Sequence, residues 1–410
     1  MEARSDMPLR LTNDRDIHLA QEWILQLHTW LRRHGLAGYD PFDIKAHPWI
    51  SGIQHRPLLR KGSTALCDIF PTLSRRLLRI QPAINPKALA LTALGHLRLH
   101  QITGDAVHLE NGLNTLEQLS HLAVPGHAGP CWGYPFPVRA TGLDCPAYTP
   151  VSVVCAIAGE AFLLAHEITR DQSHLDTALG IAAFFLEELP RIPCENGAWC
   201  FAYTPVDRRR VHNANLLAAE HIVKTAERAG NAAMKEEAGP AIAFSLSAQR
   251  EDGAWPYGAS GAGEPYEPKL MGLVDHHHTG FVLRALHGIN SVLPSPELSG
   301  ALKKGYRFYR TLIRPDGTPI NAYGTWPVDI HACAEGILCN SVLAELRPGA
   351  IDAALLVMRW THYAMRDPRD GAPRYRAYPF FTSRIVFPRW GVAWMYRALA
   401  EYLFVTRKRY

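Results

Sequence analysis

The sequence predicts an all-α fold, an (α/α)6-type toroid of antiparallel helical hairpins that spans residues 1–410 as a single domain. Apolar residues recur at helical spacing in about a dozen segments, whereas strand-like alternation is scarce and short. Links of a few residues alternate with much longer ones, which gives the hairpins a period of about 55 residues. Six or so hairpins, and a terminal helix that could pack beside the first one, favour a closed ring over an open superhelix.

Start and stop signals delimit the individual helices. The expected segments are 15–34, 58–80, 86–102, 107–122, 150–169, 172–190, 212–230, 232–250, 277–293, 296–312, 329–346, 349–365 and 388–406. Asn85-Pro86 and Ser295-Pro296 are typical starts, because a capping side chain followed by proline suits the first turn. Gly230 and Gly288 are typical ends. Helices that follow the long links, such as 150–165, are rich in small apolar residues and should form the inner layer.

Five long links are rich in glycine, proline and aromatic residues, namely 129–150, 195–213, 251–278, 315–331 and 369–390. A closed ring would gather them at one mouth, where aromatic side chains beside polar groups suit stacking on the apolar faces of sugars. The residues expected to bind a substrate there are Trp132, Tyr134, Trp199, Arg210, Asn213, Asn215, Trp255, Tyr257, Tyr323 and Trp390. The alternative is that the aromatic side chains belong to the core and the asparagines cap helices.

Charge and missing motifs narrow the classes of partner. The net charge is +5, and basic blocks are confined to Arg208–Arg210 and Arg407–Arg409. This pattern favours an anionic small molecule or a glycan over nucleic acid. The sequence contains no phosphate-binding loop, dinucleotide fingerprint or nucleophile elbow. We therefore expect a glycan or glycan precursor as partner, no cofactor and no nucleic acid.

The sequence also bears on location. Its first residues lack an apolar leader, and the longest apolar run, 151–165, is too short to span a bilayer, so no transmembrane segment is expected. Eight cysteines without a CxxC pair are typical of reduced, buried thiols. A cytoplasmic location follows, with disulfides within 131–145 and 194–200 as the alternative for an exported chain.

The most unusual string is Asp275-His276-His277-His278 at an expected helix start. Consecutive helical residues are about 100° apart, so the three imidazoles cannot all face the same way. Asp275 and His278 are the expected catalytic pair, because imidazole titrates near neutral pH and serves as a general acid or base. The alternative is a polar helix entry with Asp275 as its N-cap.

Two further groups could carry chemistry. Asp329 and His331 start another inner helix with Cys333, and both are candidate catalytic residues. Carboxylate, imidazole and thiolate are zinc ligands, but this spacing is a weak metal signal and no metal is expected. Tyr203 precedes the arginine run and Asn213, a combination suited to removing the proton next to a uronate carboxylate. Arginine or asparagine would neutralise the carboxylate, histidine would take the proton, and tyrosine would give or take one at the other face. The alternative is a turn with a capping asparagine and solvated arginines.

Paired carboxylates offer a different chemistry. Hydrolysis of a glycoside needs two carboxylates roughly 5–10 Å apart across the sugar, and Asp252 with Asp275 or Asp329 could supply them. Asp252 lies in the string Gln249-x-x-Asp252-Gly253-x-Trp255. The structural alternative is that the glutamine caps a helix end and the indole stacks on the hairpin junction.

Several strings together resemble a family of bacterial α-toroid proteins met in polysaccharide-biosynthesis loci. They are W-G-Y-P-F (132–136), C-F-A-Y-T-P-x-D (200–207), N-A-N-L-L (213–217), Q-x-x-D-G-A-W-x-Y-G (249–258), D-H-H-H-T-G-F-V-L (275–283), D-I-H-A-C-A (329–334) and R-W-G-V-A-W-M (389–395). The resemblance covers about residues 40–400 and implies a toroid like those of six-hairpin glycosidases, uronate lyases and glucuronyl C5-epimerases, with no settled reaction. Terpenoid cyclases and protein prenyltransferases share the glutamine–tryptophan motif, but this chain lacks their DxDD string.

We therefore expect a carbohydrate-active enzyme of bacterial glycan biosynthesis or processing. It would act on a glycan, one containing uronate, by proton abstraction as a lyase or an epimerase. Three alternatives stay open: a glycoside hydrolase with paired aspartates, a non-catalytic glycan-binding subunit, and a toroid that handles isoprenoids.

Overall fold

The computed structural model describes residues 14–53, 56, 59, 62, 63, 67, 69–140, 143–260, 268–322 and 324–407. Within these residues, twelve helices carry the architecture. In chain order they are α1 (Asp14–His34), α2 (Pro86–Thr103), α3 (Ala106–His121), α4 (Ser152–Thr169), α5 (Gln172–Glu188), α6 (His212–Ala229), α7 (Gly239–Ser247), α8 (His276–Val292), α9 (Pro296–Thr311), α10 (Ile330–Val342), α11 (Ala350–Met365) and α12 (Trp394–Arg407).

Six of the described helices form a closed inner ring. Helices α2, α4, α6, α8 and α10 each pack against the next, and α12 packs against both α10 and α2. The remaining six lie outside this ring, with α3, α5, α7, α9 and α11 each packed on the inner helix that precedes it, and α1 packed on α12. The expected all-α toroid is confirmed, and its architecture is (α/α)6.

Short elements occupy the links between the long helices. The short helices are Asp43–Ala46, Pro48–Gly52, Pro71–Leu77, Ala232–Glu236 and Pro268–Met271, with a 3-10 turn at Glu195–Gly197 and a π turn at Pro388–Ala393. The strands form antiparallel pairs: Ala37–Gly38 with Ala83–Ile84, Val138–Ala140 with Leu143–Cys145, Arg191–Pro193 with Trp199–Phe201, and Arg210–Val211 with Gly258–Ala259. Arg376–Ala377 lies between Val328–Asp329 and Thr382–Ser383 in a three-stranded sheet.

Three expected helices differ from the structure. In the expected segment 58–80, the helix Pro71–Leu77 ends early, because Arg79 adopts a left-handed backbone with φ 55°. The expected helix 232–250 is broken into Ala232–Glu236 and α7, since Pro240 lacks the N–H that would continue the first helix. The last expected helix starts as the π turn before α12.

The inner helices owe their composition to burial on both sides. Helix α4 is the extreme case: by length and composition it could cross a membrane, but 72% of its 18-residue window is buried inside the protein. It is therefore a core helix of the ring. The eight cysteines form no disulfide, and seven of them are buried, as expected for thiols in such a core.

The contact between α2 and α12 gives a test of ring closure. A Cβ atom added at Gly95 on α2 would lie 2.4 Å from Cδ1 of Tyr396 on α12. Gly95→Ala should therefore lower the free energy of unfolding by about 1–3 kcal/mol, because overpacked cores must shift. Gly300→Ala on α9 is the matched control, since its Cβ would meet nothing within 4 Å. The control should stabilise the helix by about 0.5–1 kcal/mol. Urea unfolding followed by circular dichroism compares the two, and a shift of the same sign in both would contradict the tight contact.

Candidate active site

The first turns of four inner helices meet at one mouth of the ring. His277 of α8 and His331 of α10 lie with their ring centroids 4.8 Å apart. Trp394 of α12 lies 4.8 Å from His331, and the Nζ atom of Lys87 on α2 lies 5.6 Å from the Trp394 ring. These contacts define the floor of the candidate site.

The long loops are held over this mouth by backbone hydrogen bonds to the inner helices. At three places, the first N–H groups of an inner helix donate to the carbonyl of an aromatic residue in a later loop. The pairs are Ser152 with Tyr203 (3.0 Å), His212 with Tyr257 (3.0 Å) and Ile330 with Tyr375 (3.1 Å). Helix starts have N–H groups without intrahelical partners, so each loop satisfies a donor and is fixed in place by it.

Asp275 organises the histidines at the start of α8. Its Oδ1 accepts a hydrogen bond from the His278 backbone N–H at 2.8 Å, and its Oδ2 lies 2.6 Å from His278 Nδ1. His277 Nδ1 lies 3.3 Å from the same carboxylate. Burial would raise the pKa of Asp275, but the two imidazoles and the hydrogen bonds from His278 lower it below its usual range. Asp275 is thus the N-cap of the helix and also an ionised anchor for two half-buried imidazoles.

The same three residues are the ones that could hold a metal here. Asp275, His277 and His278 offer ligand atoms that all lie within 4.8 Å of one another. Both carboxylate oxygens of Asp275 are, however, within hydrogen-bonding distance of an imidazole. That pattern favours an acid–base group in which a carboxylate orients imidazoles.

His331 is a buried imidazole beneath Trp390. It is 2% exposed, and its ring centroid lies 4.3 Å from that of Trp390. Neither of its ring nitrogens hydrogen-bonds to a group among the described residues. Burial, followed by the neighbouring charges of His277 and Lys87, lowers the pKa of His331 well below its usual range. His331 is therefore neutral, with both nitrogens uncommitted.

Asp329 fixes the indole above His331. It caps α10 by accepting a hydrogen bond from the His331 backbone N–H at 3.0 Å, and it accepts the Trp390 Nε1–H at 2.6 Å. Its second oxygen lies 2.9 Å from Arg376 Nε, because Arg376 is the register partner of Asp329 in the strand pair. With both oxygens occupied, Asp329 positions Trp390.

The π turn before α12 carries Arg389 beside Trp390. Turns of this kind are rare and frequently occur at functional sites. The buried Arg389 forms a two-point ion pair with Asp40, at 2.5 Å and 2.7 Å. Its guanidinium lies 5.2 Å from the Tyr134 ring and 4.8 Å from the Trp390 ring. This ion pair joins the loop after α1 to the π turn, which forms one wall of the candidate site.

Three tyrosines line the same wall. The side chains of Tyr134 and Tyr203 are hydrogen-bonded to each other, and the Arg209 guanidinium lies 5.0 Å from the Tyr203 ring. The Tyr257 ring centroid lies 4.6 Å from that of His278. Burial raises the pKa of all three phenols. At neutral pH they are hydroxyl donors and not phenolate bases.

Lys87 brings an amine to the floor. It is 3% exposed, and its Nζ lies 6.0 Å from the Phe281 ring. Within the described part of the chain, no carboxylate forms an ion pair with it. Burial, followed by repulsion from Arg389, lowers the pKa of Lys87 well below its usual range. A ligand carboxylate would supply the missing counter-charge and favour the ammonium form.

The mouth brings together eight of the residues expected from the sequence, namely Tyr134, Tyr203, Tyr257, Asp275, His278, Asp329, His331 and Trp390. The others lie elsewhere. The indoles of Trp132 and Trp255 are buried and donate to the backbone oxygens of Leu119 and Ser245, at 2.8 Å and 2.7 Å. Both therefore belong to the core.

Asn215 and Asp252 also have structural surroundings. The fully buried Asn215 amide accepts from the Phe201 N–H at 2.9 Å and donates to Ala241 O at 2.7 Å. Asp252 is exposed in a turn, where it accepts the Ala254 N–H at 2.9 Å. In the same motif, Gln249 donates to Ala301 O within α9 at 3.0 Å, so the motif joins two hairpins.

The remaining expected residues lie outside the cluster. Trp199 packs edge-on against Phe201 beneath the Arg191 guanidinium. Arg210 lies close enough to His212 and Cys200 for its charge to affect the pKa of both side chains. Asn213 is buried at the start of α6. Tyr323 lies outside the described residues.

Sequence reasoning missed three members of the site, namely Asp40, Lys87 and Arg389. Lys87 had a local signal, because it is a basic residue in the otherwise apolar first turns of an inner helix. His277 was visible within the histidine string, but only the structure shows its ring facing His331. Asp40 and Arg389 are 349 positions apart, and no local pattern joins them.

No family model matches the chain, and no curated protein matches it in sequence. Solved structures share its fold. Cellobiose 2-epimerase from Bacillus thermoamylovorans B4167 is similar with a TM-score of 0.61 at 12% identity, over 79% of this chain and 88% of that chain. An unsaturated glucuronyl hydrolase specific for heparin is similar with a TM-score of 0.61 at 10% identity, over 97% of this chain and 99% of that chain. A polysaccharide lyase is similar with a TM-score of 0.58 at 10% identity, over 95% of this chain and 98% of that chain. These similarities confirm the toroid fold. The reaction has to be inferred from the residues of the site.

The buried imidazoles predict a pH dependence of stability. Burial lowers the pKa of His276 to about 3 and that of His277 to about 4. In the unfolded chain, histidine titrates near about 6.5. Because the folded values are lower, the unfolded state binds protons first as the pH falls, and stability is lost progressively below about pH 6.5. His276→Gln should reduce the slope of the free energy of unfolding against pH by the contribution of one proton, which is about 1.4 kcal/mol per pH unit. His18→Gln, at an exposed position of α1, is the control. Urea unfolding across acidic pH measures both slopes, and equal slopes in the two variants would contradict a neutral His276.

Proposed function

We propose that this protein is a carbohydrate-active enzyme that removes the carbon-bound proton next to the carboxylate of a uronate-containing glycan, as a lyase or an epimerase. The observation that carries the proposal is the facing pair of His277 and His331, 4.8 Å apart at the floor of the mouth. Both imidazoles have a lowered pKa, so both are in the form that accepts a proton.

His331 is the proposed base. Its ring nitrogens have no hydrogen-bond partner among the described residues, and Trp390 covers it from solvent. The base would take the proton from C5 of the uronate, leaving its electron pair delocalised into the carboxylate. In an epimerisation a proton returns to C5 from the opposite face. In an elimination the electrons form the C4–C5 double bond while the C4–O bond breaks, and the departing oxygen takes a proton.

Lys87 and the tyrosines are the proposed partners of the oxygen atoms. Lys87 has no counter-ion among the described residues, so a uronate carboxylate placed on it would gain a charge-assisted hydrogen bond. The raised pKa of Tyr203 suits a hydroxyl that donates to a developing or departing oxygen. Trp390 and Tyr257 offer ring faces for stacking against the sugar.

The carboxylates of the mouth argue against hydrolysis. A hydrolase needs a protonated carboxyl and a second, free carboxylate. Asp40 is paired with Arg389, Asp275 with His277 and His278, and Asp329 with Arg376 and Trp390. The pKa of Asp275 is lowered, which is the wrong direction for a general acid. The polar groups of the floor likewise argue against an isoprenoid substrate. A role in bacterial glycan biosynthesis and a cytoplasmic location stay predictions from the sequence.

Incubation of the purified protein with uronate-containing and neutral glycans in deuterated water tests the proposal. Deuterium at C5 without cleavage would establish epimerisation, and a new unsaturated-uronate absorbance would establish elimination. Cleavage with neither signal would replace the proposal with hydrolysis. Binding without any product would replace it with a glycan-binding role.

The base can be tested by exchanging one imidazole at a time. His331→Gln should lower kcat about 10²–10⁴-fold, the usual contribution of a general base. The matched control is His287→Gln, because His287 lies on α8 about 15 Å further along the helix than His277 and lines a separate cavity at the other end of the ring. The rate of deuterium incorporation or of absorbance change gives the comparison. A fully active His331→Gln protein would exclude this base.

Tyr203 distinguishes proton transfer from hydrolysis. Tyr203→Phe removes the hydroxyl but keeps the ring under Arg209, so it should strongly lower kcat and leave KM nearly unchanged. Tyr363→Phe is the control, since Tyr363 is 91% exposed on α11. Steady-state kinetics with the substrate identified above separates the two constants. Unchanged kinetics in Tyr203→Phe would remove this tyrosine from the mechanism.

A further inference from the structure

A second histidine cluster lies further along α2 than Lys87, just past the middle of the helix. It consists of His28 on α1, His96 on α2 and His108 on α3. Lys87 and His96 are nine positions apart on one helix, which separates the cluster from the candidate active site by about 14 Å. The cluster therefore plays no part in the chemistry proposed above.

The three imidazoles converge on one another. His96 Nδ1 and His108 Nδ1 lie 3.2 Å apart. One nitrogen from each of the three rings lies within 4.8 Å of the other two. Two nitrogens bound to the same tetrahedral zinc, at Zn–N distances of about 2.0–2.1 Å, are separated by about 3.3–3.4 Å. His96 and His108 are thus already at the spacing of a shared metal, and His28 needs only a small ring movement to join them.

We propose that His28, His96 and His108 form a binding site for a divalent transition metal of the zinc type, with the imidazoles as its three protein ligands. Neutral imidazole nitrogens suit zinc, and a set of three leaves a fourth position for water or another ligand. The metal would fasten the first helix of the chain to the inner ring.

The surroundings suit a neutral, three-nitrogen donor set. Burial lowers the pKa of His96 to about 3 and also lowers that of His28 and His108. Of the neighbouring charges, Arg32 opposes a cation while Asp105 favours one. Since ligands must be deprotonated to bind, metal would not have to displace protons at neutral pH. The Nδ1 atoms that face each other share a proton in the metal-free protein, and this proton would move to the other nitrogen of its ring.

The fourth position has space. His28 and His108 line a cavity of about 570 Å³ whose other walls include Ile24, Leu99 and Leu403. Among the described residues, no acidic side chain lines this cavity. A water or a small ligand at the open position would therefore sit against an apolar wall. The hydroxyl of Tyr396 lies 3.1 Å from His96 Nδ1, and it would have to release this nitrogen when a metal binds.

Metal titration of the full-length protein tests the site. The protein is stripped with a chelator and titrated with zinc chloride against a chromophoric indicator, and bound metal is counted by mass spectrometry. We expect one tight equivalent, and a melting temperature that rises with zinc as binding to the folded state requires. His28→Gln and His108→Gln should each weaken binding at least about tenfold, since even indirect partners of a metal contribute that much. Cobalt in place of zinc should give the visible absorption of a tetrahedral ion, lost in the same variants.

Two controls make the result decisive. His100→Gln removes a histidine one turn from His96 on α2 that instead lies against Asp105 O, and it should bind zinc like the parent. His278→Gln disables the other group able to hold a metal, and it should also leave this equivalent in place. Circular dichroism confirms that the variants are folded. Absence of bound zinc in the parent protein, or zinc lost in His278→Gln and kept in His28→Gln, would overturn the proposal.

Discussion

Closure of the inner ring brings the last helix of the chain between α10 and α2, and the rest of the structure depends on this contact. Tyr396 and His96 meet across it at a separation of 300 positions, and Arg98 pairs with Glu401 at 303. Further along, Asp40 pairs with Arg389, whose neighbour Trp390 covers His331. A chain without its last segment would lose one inner helix, the roof of the site and the surface on which α1 packs.

A buried ion pair sets the register of the two helices that carry the facing histidines. Arg284 of α8 and Glu335 of α10 form a two-point contact at 2.7 Å and 3.1 Å, with both side chains inside the ring. Removing such charges from water costs about as much as their attraction returns, so the pair adds little net stability. Its effect is on geometry. Arg284 lies two turns below His277 and Glu335 one turn below His331, and sliding either helix would separate the guanidinium from the carboxylate.

The sequence predicts the parts of this molecule that are local. Helical spacing, the N-caps Asn85 and Ser295 and the histidine string at Asp275 depend on neighbours a few positions away, and the structure has these features. Pairing between distant segments leaves no such trace, so the roles of Asp40 and Arg389 could not be predicted. Loop aromatics present the opposite difficulty. Trp132 and Trp390 look alike in sequence, but one donates its N–H to a core carbonyl and the other to Asp329 at the mouth.

The two histidine clusters differ in one physical respect that separates their chemistry. At the mouth, the Asp275 carboxylate orients His277 and His278, and the His277 ring faces a neutral His331. The charge of Asp275 opposes the lowering of the His277 pKa by burial, so this ring takes up a proton more readily than burial alone would allow. The cluster of His28, His96 and His108 contains no carboxylate, and burial is the main cause that lowers the pKa of all three rings. Three imidazoles that resist protonation and share one small space gain more from a bound cation than from a proton, because a metal can satisfy all three nitrogens at once.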